Sequence, residues 1–191
     1  ILKNKKKWIT FVGKLNSAKG YDVFAKAIKN ILDKYPDWKA KIIGDEKREK
    51  ISLNHKNANI LGFLNHQKVL NIFKETSIAV ACSRWEEPFG RTSLEASASG
   101  CAVIITNKGG LPETVTNAKI LKNLNVKNLE KTIKLLIDNH KLRQKLQKLS
   151  LENFYLTHEF ITKKIDNFRS EKLQIINKFR TKKKLENLRI L

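Results

Sequence analysis

IAVACSRWEEPFGRTSLEASASGCAVIITNKGGLPE, residues 78–113, holds a strand, a turn, a helix and a second strand in close order. IAVACS (78–83) is apolar throughout, as a strand covered on both faces must be. A Pro-Phe-Gly turn follows at 88–90, and residues 91–99 read as helix. Beyond Gly100, CAVIIT (101–106) is another apolar, β-branched run. Two strands joined by a helix form a βαβ unit, and its connection makes the strands parallel.

Working outward, the same alternation covers most of the chain. Toward the N-terminus, WITFVG (8–13) reads as a strand and residues 19–36 as a helix. Phe24, Ala27, Ile28, Ile31 and Leu32 keep helical spacing there, and Pro36 stops the run. WKAKIIG (38–44) and ANILGFL (58–64) read as strands, with a short polar helix expected over 46–54 between them. HQKVLNIFKETS (66–77) reads as a helix with Val69, Leu70 and Phe73 inward, and KIL (119–121) as a short sixth strand. From Asn128 the pattern is helical to the end. The expected fold class is α/β, a mostly parallel sheet of about six strands with helices on both faces. Right-handed crossovers place all strand C-termini on one edge, where such sheets bind ligands. Gly13, Gly44, Gly62 and the 107–112 loop fall at that edge.

Composition narrows the class. The 191 residues are 41% hydrophobic, enough for a core, and carry a net charge of +21. Such a balance points to anionic partners, although the lysines are spread along the whole length as an ordinary solvated surface would be. No run approaches the roughly 18 apolar residues of a membrane span, and the N-terminal basic stretch lacks a signal-peptide pattern. Two cysteines, Cys82 and Cys101, are too few for a disulfide framework, lack metal-ligand spacing and fit a cytoplasmic location. A chain that starts at Ile1 and contains no methionine is expected to be a piece of a longer protein.

Two turns carry chemistry. In VGKLNSAKG (12–20), Gly13 follows a strand, and Lys14 and Lys19 flank a loop entering a helix. Free N–H groups at a helix start and two ammonium groups suit a diphosphate. The spacing is neither a P-loop nor Gly-x-Gly-x-x-Gly, and two surface lysines remain the plain alternative. In the second turn, Arg91, Thr92 and Ser93 open a helix, Glu95 lies one turn beyond Arg91 on the same face, and Glu87 precedes the helix. Carboxylates accept hydrogen bonds from paired hydroxyls. Two of them around a phosphate-binding turn suit a molecule with hydroxyls at both ends and phosphate between, as in a nucleotide-sugar. The alternatives are a surface loop charge at Glu87 and a carboxylate favouring the helix dipole at Glu95.

In this order and spacing, VGKLNSAKG, NILGFL and EEPFGRTSLEASASGCAVIITNKGGLPE resemble the donor-binding half of the GT-B glycosyltransferases of family four, the group 1 transferases. The family pattern of Glu, seven residues, Glu, with Phe-Gly after the first, is met by Glu87, Phe89-Gly90 and Glu95. It continues through Gly100 and an apolar strand to Gly109-Gly110-Leu111-Pro112-Glu113. The resemblance covers residues 8–115, and Lys stands at position 14 where the family usually has Arg, so the charge is kept and the bidentate fork lost.

The resemblance implies a Rossmann-like lobe of a GT-B fold over 1–157, a basic C-terminal helical segment over 158–191, and an N-terminal acceptor lobe lying outside this chain. It implies a retaining transferase using a nucleotide-diphospho-sugar, with the isolated chain inactive. Glu87 would hold the donor sugar and Glu95 the ribose. Backbone at Phe89 and Gly90 would touch the sugar, backbone at Arg91 and Thr92 the diphosphate, and backbone at Phe63 and Leu64 the base. Lys14 and Lys19, beside Gly13, would neutralise the departing diphosphate. No Asp-x-Asp pair occurs, so no metal or other cofactor is expected. The expected partners are a nucleotide-sugar, a glycan or lipid-linked acceptor and an anionic membrane surface at the inner face, with no specific nucleic acid. Two other readings stay open: a nucleotide-sugar epimerase or hydrolase of GT-B fold, and a non-enzymatic basic module for nucleic acid or membrane surfaces. The latter lacks interleaved aromatics or a reader motif. The histidines His55, His66, His140 and His158 share no spacing, and His66 reads as a helix-capping or surface residue.

Overall fold

The computed structural model describes residues 2–188, with side chains through residue 180. Its sheet is built from strands β1 (Lys6–Val12), β2 (Lys39–Ile43), β3 (Ala58–Ile60), β4 (Thr76–Ala81), β5 (Ala102–Thr106) and β6 (Ala118–Leu121). Helices α1 (Tyr21–Lys34), α2 (His66–Glu75), α3 (Arg91–Ala98), α4 (Val126–Asp138) and α5 (His140–Glu152) lie between and after them. The strand order is β3-β2-β1-β4-β5-β6 and every pairing is parallel. This is the doubly wound α/β, Rossmann-like arrangement, and its winding reverses between β1 and β4, where a crevice opens at the strand ends.

Period-two alternation distributes the strands between two cores. Ile9, Phe11, Ile42, Ile78, Val80 and Ile104 face one side, where α1 packs with Phe24, Ile28 and Leu32 and α4 with Leu129, Ile133 and Leu136. Ile43, Ala79, Val103 and Ile105 face the other, against Val69 and Phe73 of α2 and Ala96 of α3. All five β5 residues are buried, which accounts for its apolar run from Ala102 to Ile105, and the buried Thr106 donates its hydroxyl to Ser83 O at 2.6 Å. Both cysteines are buried free thiols, and burial pushes Cys82 up to about 12 and Cys101 to about 11.

An ammonium group closes the opposite end of this second core. Lys5 Nζ donates to the carbonyls of Phe73 (2.9 Å) and Ser99 (2.7 Å), at the ends of α2 and α3. It thereby places a cation at the negative end of each dipole, adding to the Thr76 N–H and Cys101 Sγ from which Phe73 O already accepts. Burial lowers its pKa.

Several boundaries differ from the sequence reading. Residues 46–54 form no helix. Glu46 and Glu49 turn instead to the loop after β1, accepting from Asn16 Nδ2 (3.0 Å) and from Ser17 N and Oγ (3.0 and 3.1 Å). β3 is three residues long, because Gly62 turns the chain at φ 64°. Leu70 of α2 is only half-buried, whereas Val69 and Phe73 are buried. The helical stretch expected from Asn128 starts at Val126 and is broken. Asn139 ends α4 and caps α5, its Oδ1 accepting from Leu142 N at 2.8 Å.

Ile1–Phe154 and Tyr155–Leu191 are separate units. The second consists of helix α6 (His158–Leu188) and its lead-in, with Tyr155 and Phe160 in edge contact at 5.2 Å. Phe160, Ile165, Phe168 and Phe179 are exposed along it. No helix among the described residues is long and apolar enough to cross a membrane.

Candidate functional site

The crevice between β1 and β4 is shaped by loops that interlock. Ala18 O, in the loop after β1, accepts from Ser83 Oγ, Arg84 N and Trp85 N at 3.2, 2.9 and 3.1 Å. Arg84 clamps Asp22 of α1 with both terminal nitrogens, at 2.6 and 2.9 Å. The guanidinium hydrogen bond holds the Asp22 carboxyl below its ordinary value. Asn16 Oδ1 accepts from Lys19 N at 3.0 Å, which shapes the turn that delivers Lys19.

The turn containing Glu87 is pinned from behind by the Gly109-Gly110 pair. Glu86 accepts from Lys108 Nζ (2.7 Å) and Gly109 N (2.6 Å), so its carboxyl too lies below the usual value, chiefly through Lys108. Gly110 N donates to Glu87 O at 2.6 Å. Gly109 has φ +52°, and a Cβ there would sit 2.2 Å from Glu87 O. Only a glycine allows that approach. Ser93, buried in the first turn of α3, bonds Gly90 O (2.8 Å) and Thr114 Oγ1 (2.6 Å), fixing the helix start against the segment after the glycines.

These contacts present a cavity of about 220 Å³ lined by Gly13, Lys19, Ser83, Glu87, Gly90, Arg91 and Thr92. Lys19 Nζ and Glu87 Oε1 are 2.5 Å apart inside it, and the Glu87 side chain is only 14% exposed. The N–H groups of the first α3 turn have no intrahelical partners, and Gly90 supplies no side-chain cap. The cavity therefore holds an ion pair of Lys19 and Glu87 together with the positive end of the α3 dipole.

A second cleft of about 290 Å³ shares Val12 and Gly13 with the first and is lined by Lys14, Gly44, Asp45, Phe63, Leu64 and Val69. Lys14 is exposed and its ammonium has no ion-pair or hydrogen-bond partner among the described residues. Phe63 is 79% exposed and Leu64 is half-buried. Glu95 lies on α3 beyond the cavity, its side chain 16% exposed. Its Oε1 accepts from Arg91 Nε at 3.1 Å and from His66 Nε2 at 2.9 Å.

The structure thus gathers Gly13, Lys19, Glu87, Gly90, Arg91 and Thr92 in one cavity and places Lys14, Phe63 and Leu64 in its neighbour. Glu95 lines neither of them, and Phe89, 45% exposed, lies on the turn between the two glutamates. The sequence reading missed three partners: Glu86, which anchors the turn; Arg84, which ties the loops; and His66, which faces Glu95 while Asn65 caps its helix (Oδ1 to Lys68 N, 3.0 Å). An Asn directly before the helix was the available signal against a capping role for His66. Among the described residues no three His, Cys, Asp or Glu side chains converge as a metal-ligand set.

A six-stranded parallel sheet with helices on both faces and a crevice at its switch point is the Rossmann-like lobe of the GT-B type. The model of the family "Glycosyl transferases group 1" matches residues 1–151, and the chain belongs to that family. Spore coat protein SA of Bacillus subtilis is 28% identical over 76% of this chain and 43% of its own length. An uncharacterized glycosyltransferase of Methanocaldococcus jannaschii is 33% identical over 71% of this chain and 40% of its own. The chain therefore spans less than half the length of these relatives. Among solved structures, the C-terminal domain of the group 1 family protein LpcC from Francisella tularensis superposes with a TM-score of 0.68 at 27% identity. That match covers 79% of this chain and 86% of the other. HepE of Anabaena, solved in complex with UDP-glucose, shares the fold at a TM-score of 0.69 and 19% identity, over 87% of this chain and 49% of its own.

Proposed function

We propose that this lobe binds a nucleotide-diphospho-sugar and that the protein transfers the glycosyl group, with retention, to a glycan or lipid-linked acceptor held by a lobe outside this chain. One observation carries the reading: Glu87 and Glu95 stand on either side of the bare N-terminus of α3, with Lys19 in the same cavity as Glu87. Sugar hydroxyls meet Glu87, ribose hydroxyls meet Glu95, and the diphosphate lies between, on the N–H groups of Arg91 and Thr92. The base enters the cleft beside Phe63 and Leu64. The complex of HepE with UDP-glucose supports a donor of this kind in a lobe of this fold.

The bond from the anomeric carbon to the diphosphate oxygen breaks, and its electron pair stays on the diphosphate. The acceptor hydroxyl oxygen forms the new bond to the anomeric carbon, and its proton passes to the departing diphosphate. Negative charge therefore grows on the leaving group, which Lys19, Lys14 and the α3 dipole would meet in this reading. Fixed cations and dipoles lower such a barrier because they need no reorganisation. Lys14 has one ammonium where a guanidinium would hold two oxygens, so its contribution is that of a point charge. The division at Phe154 and Tyr155 is taken as the lobe's limit, with α6 as a segment for an acceptor lobe or an anionic membrane surface.

Calorimetric titration of the chain with UDP, GDP and ADP tests the reading. One nucleotide binds, and Glu95→Ala weakens it about tenfold or more, the loss of hydrogen bonds to a charged group. Equal affinity in the variant contradicts the assignment of Glu95.

A further inference from the structure

His66 is the first residue of α2, and its side chain crosses to a different element, α3. Its Nε2 lies 2.9 Å from Glu95 Oε1, although the imidazole is 55% exposed and has open solvent beside it. A carboxylate accepts only, so Nε2 is the protonated nitrogen in this contact. The same Oε1 also takes Arg91 Nε at 3.1 Å, from one turn earlier on α3. Oε2 has no hydrogen-bond partner among the described residues. Glu95 therefore has one oxygen held by two donors and the other open.

The two donors are not equivalent. Arg91 reaches Glu95 along their own helix, with a long side chain that is 70% exposed. Exposed i,i+4 pairs of this kind hold geometry weakly. His66 comes from across the gap with only two side-chain torsions, so little freedom is lost in making the contact. It gives Glu95 Oε1 a donor from outside α3 and ties the start of α2 to α3.

We infer that His66 is a positioning residue for the nucleotide end of the site. It holds Glu95 Oε1 so that Oε2 is presented to a vicinal diol. This inference rests on the reading of Glu95 as the ribose-binding group. A ribose with both hydroxyls then meets a preoriented acceptor, and a ribose lacking them gains nothing from the arrangement.

The test is calorimetry on the full chain with UDP, GDP and ADP and with their 2′,3′-dideoxy forms. For the nucleotide that binds, His66→Ala weakens the ribo form about five- to tenfold, the worth of orienting one charged hydrogen bond. It leaves the dideoxy form within about twofold of wild type by the same reasoning. His66→Gln, whose amide N–H reaches a similar point, restores the ribo affinity. Unchanged ribo affinity in His66→Ala, with Glu95→Ala impaired, overturns the role of His66 and leaves the ribose reading intact. An unimpaired Glu95→Ala, or no binding of any nucleotide to wild type, overturns both. Equal weakening of ribo and dideoxy forms by His66→Ala marks a merely structural contact and also overturns the inference.

Discussion

Gly109→Ala separates the two reasons for a glycine in this site. At φ +52° an L-residue with a Cβ costs about 1–2 kcal/mol in backbone strain alone. The new methyl would also lie 2.2 Å from Glu87 O, 2.5 Å from Glu87 N and 2.8 Å from the carbonyl carbon of Glu86. These are backbone atoms, so no side-chain rotation relieves the contact. The turn from Glu86 to Phe89 must retreat by about 1 Å, at roughly a further 1–3 kcal/mol for overpacking. Gly62→Ala is the control: its φ is +64°, and a Cβ there meets nothing within 4 Å. Urea denaturation should place Gly62→Ala about 1–2 kcal/mol below wild type and Gly109→Ala about 2–5 kcal/mol below. Only Gly109→Ala shifts Glu87 and should weaken binding of a nucleotide-sugar. Equal destabilisation by the two substitutions refutes the claim that the double glycine exists to seat the Glu87 turn.

Acid should destabilise the protein through Asp22, whose folded-state pKa is depressed by Arg84. Its contribution is fully present above the unfolded value near 4 and is lost as pH falls through the lower folded value. Glu46, held at about 2 first by the Arg48 side chain, extends the loss in the same direction. Urea midpoints measured from pH 5 to pH 2 should therefore fall less steeply in Asp22→Asn than in wild type; parallel slopes contradict this. Lys5→Met strips the ends of α2 and α3 of their shared cation and should cost about 1–3 kcal/mol, reduced by the relief of burying an ammonium. A variant as stable as wild type in denaturant contradicts a stabilising role for this ammonium, Phe73 O keeping Thr76 N and Cys101 Sγ as donors.

What could be read from the residues was whatever depends on local period. β5 and β4 were legible because strands covered on both faces carry mostly apolar side chains, and α1 because its buried stripe repeats at 3.6 residues; the buried Thr76 and Ser77, which open β4, read as the end of the preceding helix. Residues 46–54 misled because their charged side chains carry no apolar period to set against a helix. What fixes them is a tertiary demand, the unsatisfied donors of Asn16 and Ser17. The break at Asn139 was hidden because leucines continue on both sides of one capping residue. In the site, the two glutamates and the two lysines stood out by type and spacing. Their pairing did not: Lys19 and Glu87 are 68 residues apart, and His66 and Glu95 29. Such contacts follow from strand order and register, which no short window of sequence contains.

In the proposed site, two carboxylates grip hydroxyls at opposite ends of one donor. Titrate wild type, Glu87→Ala and Glu95→Ala with the nucleoside diphosphate that binds and with its sugar conjugate. The account predicts that Glu95→Ala weakens both ligands alike. It predicts that Glu87→Ala leaves the nucleotide nearly unchanged and removes the extra affinity the sugar brings. If Glu87→Ala weakens the bare nucleotide as much as the conjugate, or Glu95→Ala weakens neither, the carboxylates do not divide the donor between them and the account is contradicted.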